Sequence, residues 1–389
     1  MKACPAAPTI EWREAGTAHV LRWRSPGGGA PPRRVSVADD ALTADAAYRL
    51  TCEGTALLWR GDFQNARQLL QALGRRFDRG QRAGVGIDRA FPEAFHHKRM
   101  MQAQRSRILG GLLIPFDAGF VIPLRRAPDV RAACTEALGE CAEACVLSLR
   151  ELLGMIGAHE WRKKGMPIPA LGARIHPHYG VFSPVRGEYP ALLAETPLPP
   201  SAAGLAFDVG TGTGVLAAIL ARRGVRRVVA TDRDARALAC ARDNVERLGL
   251  GGAIEVVEAD LFPPGRAPLV VCNPPWVPGK PSSALEYAIY DPGSRMLRGF
   301  LAGLAGHLAA DGEGWLILSD LAEHLKLRSR ETLLTWIEQA GLAVLERRDA
   351  RPAHPKASDA ADPLHAARAA ETTSLWRLSA TDPAPSPAD

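Results

Sequence analysis

The tetrapeptide Asn273-Pro274-Pro275-Trp276 combines residue types that can do chemistry on a nitrogen atom. It follows an apolar run from Pro268 to Cys272 that is typical of a buried strand. The side-chain oxygen of Asn273 and the carbonyl oxygen of Pro274 can accept both hydrogens of a planar amino group, and they favour its pyramidal, nucleophilic form as charge develops. Proline suits this role because its fixed φ pre-sets the two oxygens. The tetrapeptide therefore predicts an acceptor site with Asn273 and Pro274 as catalytic residues.

A glycine-rich turn upstream, Asp208-Val209-Gly210-Thr211-Gly212-Thr213-Gly214, separates a predicted strand from a predicted helix. Glycines at such a turn let the backbone bend sharply and approach a ligand at the carboxyl end of the strand. The order GxGxG differs from the dinucleotide fingerprint GxGxxG, whose spacing serves a pyrophosphate at a helix N-terminus. The turn therefore predicts a nucleoside cofactor rather than NAD, and its candidate cofactor-binding residues are Asp208, Gly210, Thr211, Gly212 and Gly214.

Two further carboxylates end the next two predicted strands. Asp232 stands 22 residues after the first glycine of the turn, where a carboxylate can accept both ribose hydroxyls. Asp260 is placed to accept from an adenine amino group, with Leu261 or Phe262 covering the ring. Singly, each aspartate also fits a residue that caps the next helix. Together with the glycines they predict one cofactor site that Asn273 also borders, and with the tetrapeptide downstream they indicate methyl transfer onto nitrogen.

Strands and helices alternate in the second half of the chain, which predicts a parallel, doubly wound sheet. The predicted strands are Leu205–Val209, Arg227–Thr231, Ile254–Val257, Leu269–Cys272 and Gly314–Ser319, with Leu342–Arg348 and Thr373–Ser379 as a terminal hairpin. The predicted helices are Val215–Arg223, Asp234–Leu248, Ser294–Leu308 and Arg330–Ala340.

The first part of the chain is expected to be a mostly helical domain, because residues 38 to 73 have a helical pattern of apolar residues. The charged, proline-containing run Arg162–Pro169 predicts a domain boundary. We therefore expect a helical accessory domain at residues 1–170, the alternating domain at 171–381 and a disordered tail at 382–389.

The composition fits a globular enzyme with 389 residues, 47% of them apolar. No apolar run approaches the roughly 20 residues needed to cross a bilayer, and Glu11 and Glu14 stand where a signal peptide needs an apolar stretch. A cytoplasmic location and no membrane contact are expected. Seven cysteines include no CxxC pair, and Cys134, Cys141 and Cys145 have helical spacing. They predict reduced thiols packed on one helix, and no metal site.

Basic residues are concentrated in the first part of the chain. Residues 1–175 contain 26 Lys and Arg against 17 Asp and Glu, whereas residues 176–389 contain 22 against 25. A basic domain is suited to contact with a phosphate backbone. A GC-rich coding bias would also explain a composition rich in Arg, Ala, Gly and Pro. The charge distribution is compatible both with a protein that contacts nucleic acid and with one that does not.

Residues 175 to 320 resemble the class I S-adenosylmethionine-dependent methyltransferases of the small-domain type. This family includes ribosomal RNA guanine-N2 and release-factor glutamine N5-methyltransferases. The resemblance rests on the run Tyr179-Gly180-Val181-Phe182-Ser183, the glycine turn, Asp232, Asp260 and the tetrapeptide. It implies a Rossmann-like seven-stranded sheet and S-adenosylmethionine as cofactor. It also implies that the three glycines line the methionine part, Asp232 the ribose, Asp260 the adenine, and Asn273 with Pro274 the acceptor nitrogen.

The acceptor stays open because Trp276 stands where family members more often have Tyr or Phe. A Trp could stack on a flipped base or border an amide. A base amino group in nucleic acid, first of all ribosomal RNA, a glutamine amide in a protein and a small-molecule amine are the three candidates. Pro275, Trp276, Tyr287 and Tyr290 are expected to shape the acceptor pocket. An inactive binding protein on this fold and an NAD-dependent oxidoreductase are the remaining alternatives, and the oligomeric state is open.

Overall fold

The computed structural model describes residues 8–82, 90–184, 186–281, 286, 288–352 and 362–381. The chain divides into two compact units, the first drawn from residues 1–90 and 96–160 and the second from residues 91–95 and 161–389. The division falls between Glu160 and Trp161, earlier than the boundary expected near residue 170. The tail expected at 382–389 lies outside the described residues. In the described part of the chain, each helix lacks the combination of length and apolar character that a bilayer span requires.

The first unit contains a six-stranded sheet. Its strands are β1 (Thr9–Glu14), β2 (Thr17–Trp23), β3 (Arg34–Ala38), β4 (Thr55–Trp59), β5 (Leu112–Phe116) and β6 (Cys145–Ser148). They lie in the order β1-β2-β6-β5-β4-β3. The helices are α1 (Ala44–Cys52), α2 (Phe63–Arg82), α3 (Glu93–Gly110), α4 (Arg131–Leu138) and α5 (Leu149–Lys164), and α3 and α5 each extend into the second unit. Helices are present as expected, but the sheet was not predicted.

Buried strands account for the missed sheet. The run Thr55–Trp59 was interpreted as part of a helical segment, yet it forms β4, with four of its five residues buried. A short continuous apolar run fits a buried strand as well as a buried helix, so periodicity alone does not separate them. The preceding Gly54 has a φ of +83°, which ends α1 and lets the chain reverse into the strand.

The three cysteines do not share one helix, so that prediction is wrong. Cys134 lies in α4, Cys141 follows the turn at Gly139, which has a φ of +73°, and Cys145 lies in β6. All three are free thiols in the interior, as expected, and burial raises the pKa of Cys134 and of Cys145 to about 12. No group of three or more His, Cys, Asp or Glu side chains within the described residues is arranged to hold a metal ion.

The second unit is built on a seven-stranded sheet, which confirms the predicted fold. The strands are β9 (Leu205–Val209), β10 (Arg227–Asp232), β11 (Ile254–Glu258), β12 (Ala267–Cys272), β13 (Leu308–Ser319), β14 (Leu342–Ala350) and β15 (Thr373–Ala380), after a small hairpin of β7 (Met166–Ile168) and β8 (Ala173–Ile175). The order is β11-β10-β9-β12-β13-β15-β14. The pairs from β11 to β13 are parallel, and β15 pairs antiparallel with both β13 and β14.

Helices accompany the sheet, and those at residues 215–222, 235–247, 295–307 and 330–339 lie at the predicted places. The helices are α6 (Glu188–Glu195), α7 (Val215–Arg222), α8 (Ala235–Arg247), α9 (Arg295–His307), α10 (Leu321–His324), α11 (Arg330–Gln339) and α12 (His365–Ala370). Successive residues of β9 pack into two different apolar clusters, Ala206 into one and Phe207 into a second. Burial on both faces explains why the central strands have continuous rather than alternating apolar sequences.

The order of the strands reverses at β9, which lies between β10 and β12. Val209 at the end of β9 pairs with Thr231 on one side and with Cys272 on the other. The segments that follow β9, β10 and β12 therefore leave the same edge of the sheet side by side. Ligands of open parallel sheets bind in the crevice at such a switch point.

Candidate cofactor and acceptor site

Backbone hydrogen bonds fix the glycine turn at the switch point. The N–H groups of Gly210 and Thr211 both donate to the carbonyl oxygen of Thr231, at 2.9 and 2.8 Å. The φ angles of Gly210, Gly212 and Gly214 are +74°, +56° and +79°. These values favour glycine, because a side chain is strained there. A Cβ atom at Gly212 would meet nothing within 4 Å, whereas one at Gly210 would meet Met296 Cε at 2.4 Å, so the space above the turn is open at Gly212.

Asp208 anchors the turn from inside the sheet. Its side chain is fully buried, and its Oδ2 accepts hydrogen bonds from Thr211 Oγ1 at 2.6 Å and from the N–H of Ala217 at 3.1 Å. Its Oδ1 is buried and has no hydrogen-bond partner among the described residues. Burial raises the pKa of Asp208 to about 6, although the two hydrogen bonds act in the opposite direction.

The raised pKa of Asp208 predicts a pH-dependent stability. The folded protein retains the proton up to about pH 6 whereas the unfolded chain loses it near pH 4, so this group destabilises the fold as the pH rises through that window. We expect Asp208→Asn to gain on the order of 1–3 kcal/mol relative to wild type between pH 4.5 and 7.5. Urea unfolding at both pH values measures the difference. The control is Asp311→Asn, at an exposed carboxyl, and equal pH profiles for wild type and Asp208→Asn would contradict the expectation.

Asp232 stands at the end of β10 beside the glycine turn, as predicted. Its Oδ2 accepts a hydrogen bond from the N–H of Gly212 at 3.1 Å, and its Oδ1 accepts from the N–H of Asp234 at 3.0 Å. The carboxylate is half-buried, and burial raises its pKa while the backbone hydrogen bonds lower it. Each oxygen has a second lone pair, so the group can still accept hydrogen bonds from a diol.

The segment after β11 contains the third predicted aspartate. Asp260 is exposed, and Leu261 is half-buried with a φ of +78°. The carbonyl of Leu261 accepts a hydrogen bond from Thr231 Oγ1, which ties this segment to the end of β10. The ring of Phe262 stacks on His307 and Phe300 of α9, with centroid distances of 4.2 and 5.7 Å. Of the two residues expected to cover an adenine ring, Phe262 therefore packs elsewhere and Leu261 remains the candidate.

The tetrapeptide leaves the sheet next to the glycine turn, because Cys272 pairs with Val209. Pro274 is buried, and Asn273, Pro275 and Trp276 are half-buried. The indole Nε1 of Trp276 donates a hydrogen bond to Asn273 Oδ1 at 2.8 Å. An amide oxygen accepts two hydrogen bonds, so this contact orients the oxygen and leaves one lone pair for an acceptor N–H.

Trp276 is itself fixed by its neighbours. The guanidinium carbon of Arg186 lies 4.7 Å from the ring centroid, and Tyr189 meets the ring edge-on at 6.5 Å. Trp276 also packs against three apolar clusters of this unit. A ring held in this way is suited to orienting Asn273, and a role of Trp276 toward the acceptor stays a prediction.

A buried ion network behind Trp276 was missed by sequence reasoning. Arg186 donates to Glu188 Oε1 at 2.5 Å and to Glu371 Oε1 at 2.9 Å. The two carboxylate side chains are 7% and 4% exposed, so one guanidinium is shared by two buried carboxylates. Ser319 Oγ donates to the same oxygen of Glu371. Glu371 is far from the tetrapeptide along the chain, and no local pattern indicates their proximity.

The segment that returns to α9 contains the last predicted site residues. Tyr287 lies outside the described residues. Tyr290 contacts Phe95, with a centroid distance of 6.3 Å, and packs in an apolar cluster. The buried Asp291 accepts from two backbone N–H groups at the start of α9, those of Met296 at 2.9 Å and Leu297 at 3.2 Å. These contacts give Tyr290 and Asp291 packing and capping roles, and a role of Tyr290 toward substrate stays a prediction.

Comparison with known proteins identifies the second unit. Residues 172–330 match the model of the family described as "Methyltransferase small domain". The chain is 38% identical over 146 residues to a ribosomal protein L11 methyltransferase of Pelotomaculum thermopropionicum, covering 37% of this chain and 40% of the relative. It is 36% identical over 91 residues to a release factor glutamine methyltransferase of Cereibacter sphaeroides, covering 22% of this chain and 33% of the relative.

A third relative acts on RNA according to its name. The chain is 30% identical over 134 residues to a tRNA1(Val) (adenine(37)-N6)-methyltransferase of Bacteroides thetaiotaomicron, covering 32% of this chain and 56% of the relative. The chain thus covers less than two thirds of the length of each of these three relatives. The family match lies within the second unit, and the first unit lies outside it.

Proposed function

We propose that this chain, whose residues 172–330 belong to the methyltransferase small-domain family, is an S-adenosylmethionine-dependent methyltransferase acting on an amino or amide nitrogen of a macromolecule. The observation that carries the proposal is the pairing of Cys272 with Val209, which puts Asn273 beside the glycine turn. A cofactor bound at the turn and a nitrogen bound at the tetrapeptide would then be neighbours.

The residues at the turn fit the cofactor. S-adenosylmethionine supplies an electrophilic methyl group on a sulfonium. Gly210, Gly212 and Gly214 would border its methionine part, and the open space above Gly212 leaves room for it. The Asp232 carboxylate would accept from the ribose hydroxyls, and Asp260 from the adenine amino group. Asp208 would act through the turn, because its fully buried carboxylate holds Thr211 and the first turn of α7.

Asn273 and Pro274 would position the acceptor. Asn273 Oδ1 and the Pro274 carbonyl accept the two hydrogens of the amino group and orient its lone pair toward the methyl group. Positive charge develops on that nitrogen during transfer, so two fixed oxygens stabilise the transition state more than the ground state. Orientation of the acceptor, and exclusion of water by the buried Pro274 and the half-buried Trp276, would supply much of the acceleration.

Trp276→Phe tests the contact that orients Asn273. Phenylalanine keeps the ring between Arg186 and Tyr189 but removes the N–H donor. We expect kcat to fall about five- to tenfold, as for one lost neutral hydrogen bond, with an unchanged KM for the cofactor. Trp315→Phe is the matched control, because it removes an indole hydrogen bond to Glu313 at 2.9 Å in β13. A wild-type kcat in Trp276→Phe would contradict this role.

Nucleic acid is the proposed acceptor, and the target is the amino group of a base. Ribosomal RNA is the first candidate. The excess of Lys and Arg in residues 1–175 supports it, since such a charge is suited to phosphate contacts. A glutamine amide of a protein is the second candidate. It presents a similar planar NH2 group, and two of the relatives are named as methyltransferases of ribosomal protein L11 and of release factor glutamine.

Labelling of a cell extract distinguishes these acceptors. The extract comes from cells that lack this protein, and it receives the purified chain with S-adenosylmethionine labelled in the methyl group. Label released by ribonuclease is the expected result. Label that resists ribonuclease but is released by protease would replace the RNA proposal with the protein one. Label that passes a filter without either enzyme would indicate a small molecule and overturn both.

A further inference from the structure

An open cavity of about 330 Å³ lies in the second unit, next to the segment that follows the tetrapeptide. Its lining includes Pro278, two residues after Trp276, and the start of α11. The side chains that matter for binding are Lys326, Arg328, Ser329, Thr332 and Trp336. None of these residues was singled out by the sequence analysis.

Arg328 is a buried cation that makes no salt bridge with the described residues. It is 6% exposed, and its Nε and Nη2 are buried without a hydrogen-bond partner. Burial lowers its pKa, while the nearby carboxylates of Glu323 and Asp291 raise it and Arg330 lowers it. Both carboxylates have other partners, because Glu323 binds Arg330 at 2.7 Å and Asp291 accepts from the start of α9. A buried guanidinium in this state is suited to binding an anion.

Other donors of the cavity surround the same space. Ser329 is the N-cap of the ten-residue helix α11, where its Oγ accepts from the N–H of Thr332 at 3.2 Å and lies 3.1 Å from Thr332 Oγ1. Ser329 also hydrogen-bonds to the carboxylate of Glu331, so its hydroxyl already has a partner. The N–H groups and the dipole at a helix N-terminus favour an anion. Lys326 is exposed and adds a second positive charge, and Trp336 contributes a flat apolar wall. A guanidinium, an ammonium and the hydroxyl of Thr332 match the several oxygens of a phosphate better than the two of a carboxylate.

We propose that this cavity binds a phosphate group, and that the phosphate belongs to the backbone of a nucleic-acid acceptor. The binding of phosphate does not depend on the proposed function. The assignment of that phosphate to a nucleic-acid backbone rests on it. Pro278 lines the cavity beside Arg328 and follows the tetrapeptide by two residues, which makes the cavity the candidate site for a phosphate of a nucleotide strand whose base is bound at Asn273. The phosphate contact would fix the register of the strand, and Asn273 would contact the base.

Thermal unfolding of the full chain in inorganic phosphate tests the site itself. The reference is chloride at the same ionic strength and pH. We expect phosphate to raise the Tm of wild type and of Arg227→Met, a control at an exposed arginine that pairs with Glu255, but not the Tm of Arg328→Met. No phosphate effect on wild type, or the same effect on Arg328→Met, would overturn the proposal. If Arg328→Met does not fold, Lys326→Ala and Thr332→Val replace it. Each is expected to reduce the shift, and an unchanged shift in either variant would overturn the proposal.

Kinetics with an RNA acceptor test the source of the phosphate. We expect Arg328→Met to raise the KM for RNA about tenfold with unchanged kcat and cofactor KM, and to reduce the slope of log KM against log salt by about one. An unchanged KM for RNA in a variant that has lost its phosphate shift would overturn the backbone as source. If the label enters protein instead, the proposed RNA acceptor fails while the phosphate shift of wild type still supports the site.

Discussion

Replacing Asn273 with alanine is expected to lower kcat for methyl transfer about 10²–10³-fold, the range found when one transition-state hydrogen-bond partner is removed. The affinity for S-adenosylmethionine should stay within about twofold of wild type, because the side-chain oxygen would meet the acceptor and not the cofactor. Single-turnover transfer measures the first quantity, and calorimetric titration of the cofactor measures the second.

The controls for Asn273→Ala separate catalysis from folding. The substitution leaves the indole N–H of Trp276 without its acceptor, so a stability loss of about 1 kcal/mol is expected. Asn65→Ala, in the first unit, likewise removes a side-chain hydrogen bond, at 3.0 Å to Asp40, and should leave kcat unchanged. A parallel loss of cofactor affinity and rate in Asn273→Ala would contradict the assignment of Asn273 to the acceptor.

Replacing Asp232 with alanine is expected to raise the KM for S-adenosylmethionine at least about 100-fold. Two hydrogen bonds from a diol to a carboxylate contribute about 1.5–3 kcal/mol each, and the same carboxylate holds the N–H of Gly212 in the turn. The loss should appear in the KM for cofactor, with a smaller effect on kcat at saturation. Steady-state kinetics over a wide range of cofactor concentrations measure it.

The matched control for Asp232→Ala is Asp234→Ala. Asp234 caps α8 by accepting from the N–H of Arg236 at 2.9 Å, so its loss should cost about 1 kcal/mol of stability. The KM for cofactor should remain close to wild type. Equal changes of KM in both variants would show that Asp232 acts through local structure, and an unchanged KM in Asp232→Ala would remove it from the cofactor site.

The fold of the second unit could be predicted because its sequence patterns are local. The runs at β9, β10 and β12 are short and apolar. The edge of the sheet is marked by Gly210 after β9, by Asp232 at the end of β10 and by Asn273 after β12. The terminal hairpin was also predicted, and β14 and β15 do pair antiparallel. The sheet of the first unit was not predicted, because β4 after Thr55 and all of β5 are continuous apolar runs that periodicity does not separate from buried helices.

The candidate site shows the same division between local and distant contacts. Spacing along the chain was enough to predict that the glycine turn, Asp232 and the tetrapeptide share one edge of the sheet. It could not show that Trp276 would contact Arg186 and Tyr189, or that Phe262 would stack on α9, because these contacts come from segments distant in sequence. The buried Arg328 was missed for the same reason, since an arginine in a sequence gives no sign of burial.

The methylated atom of the product tests the central claim most directly. Wild-type chain and Asn273→Ala would be incubated with labelled cofactor and the acceptor fraction, and the labelled product would be hydrolysed to nucleosides or amino acids and identified by mass spectrometry. The proposal predicts a methyl group on an exocyclic or amide nitrogen with wild type, and about 10²–10³-fold less of it with Asn273→Ala. A methyl group on carbon, oxygen or sulfur, or equal labelling by both proteins, would contradict it.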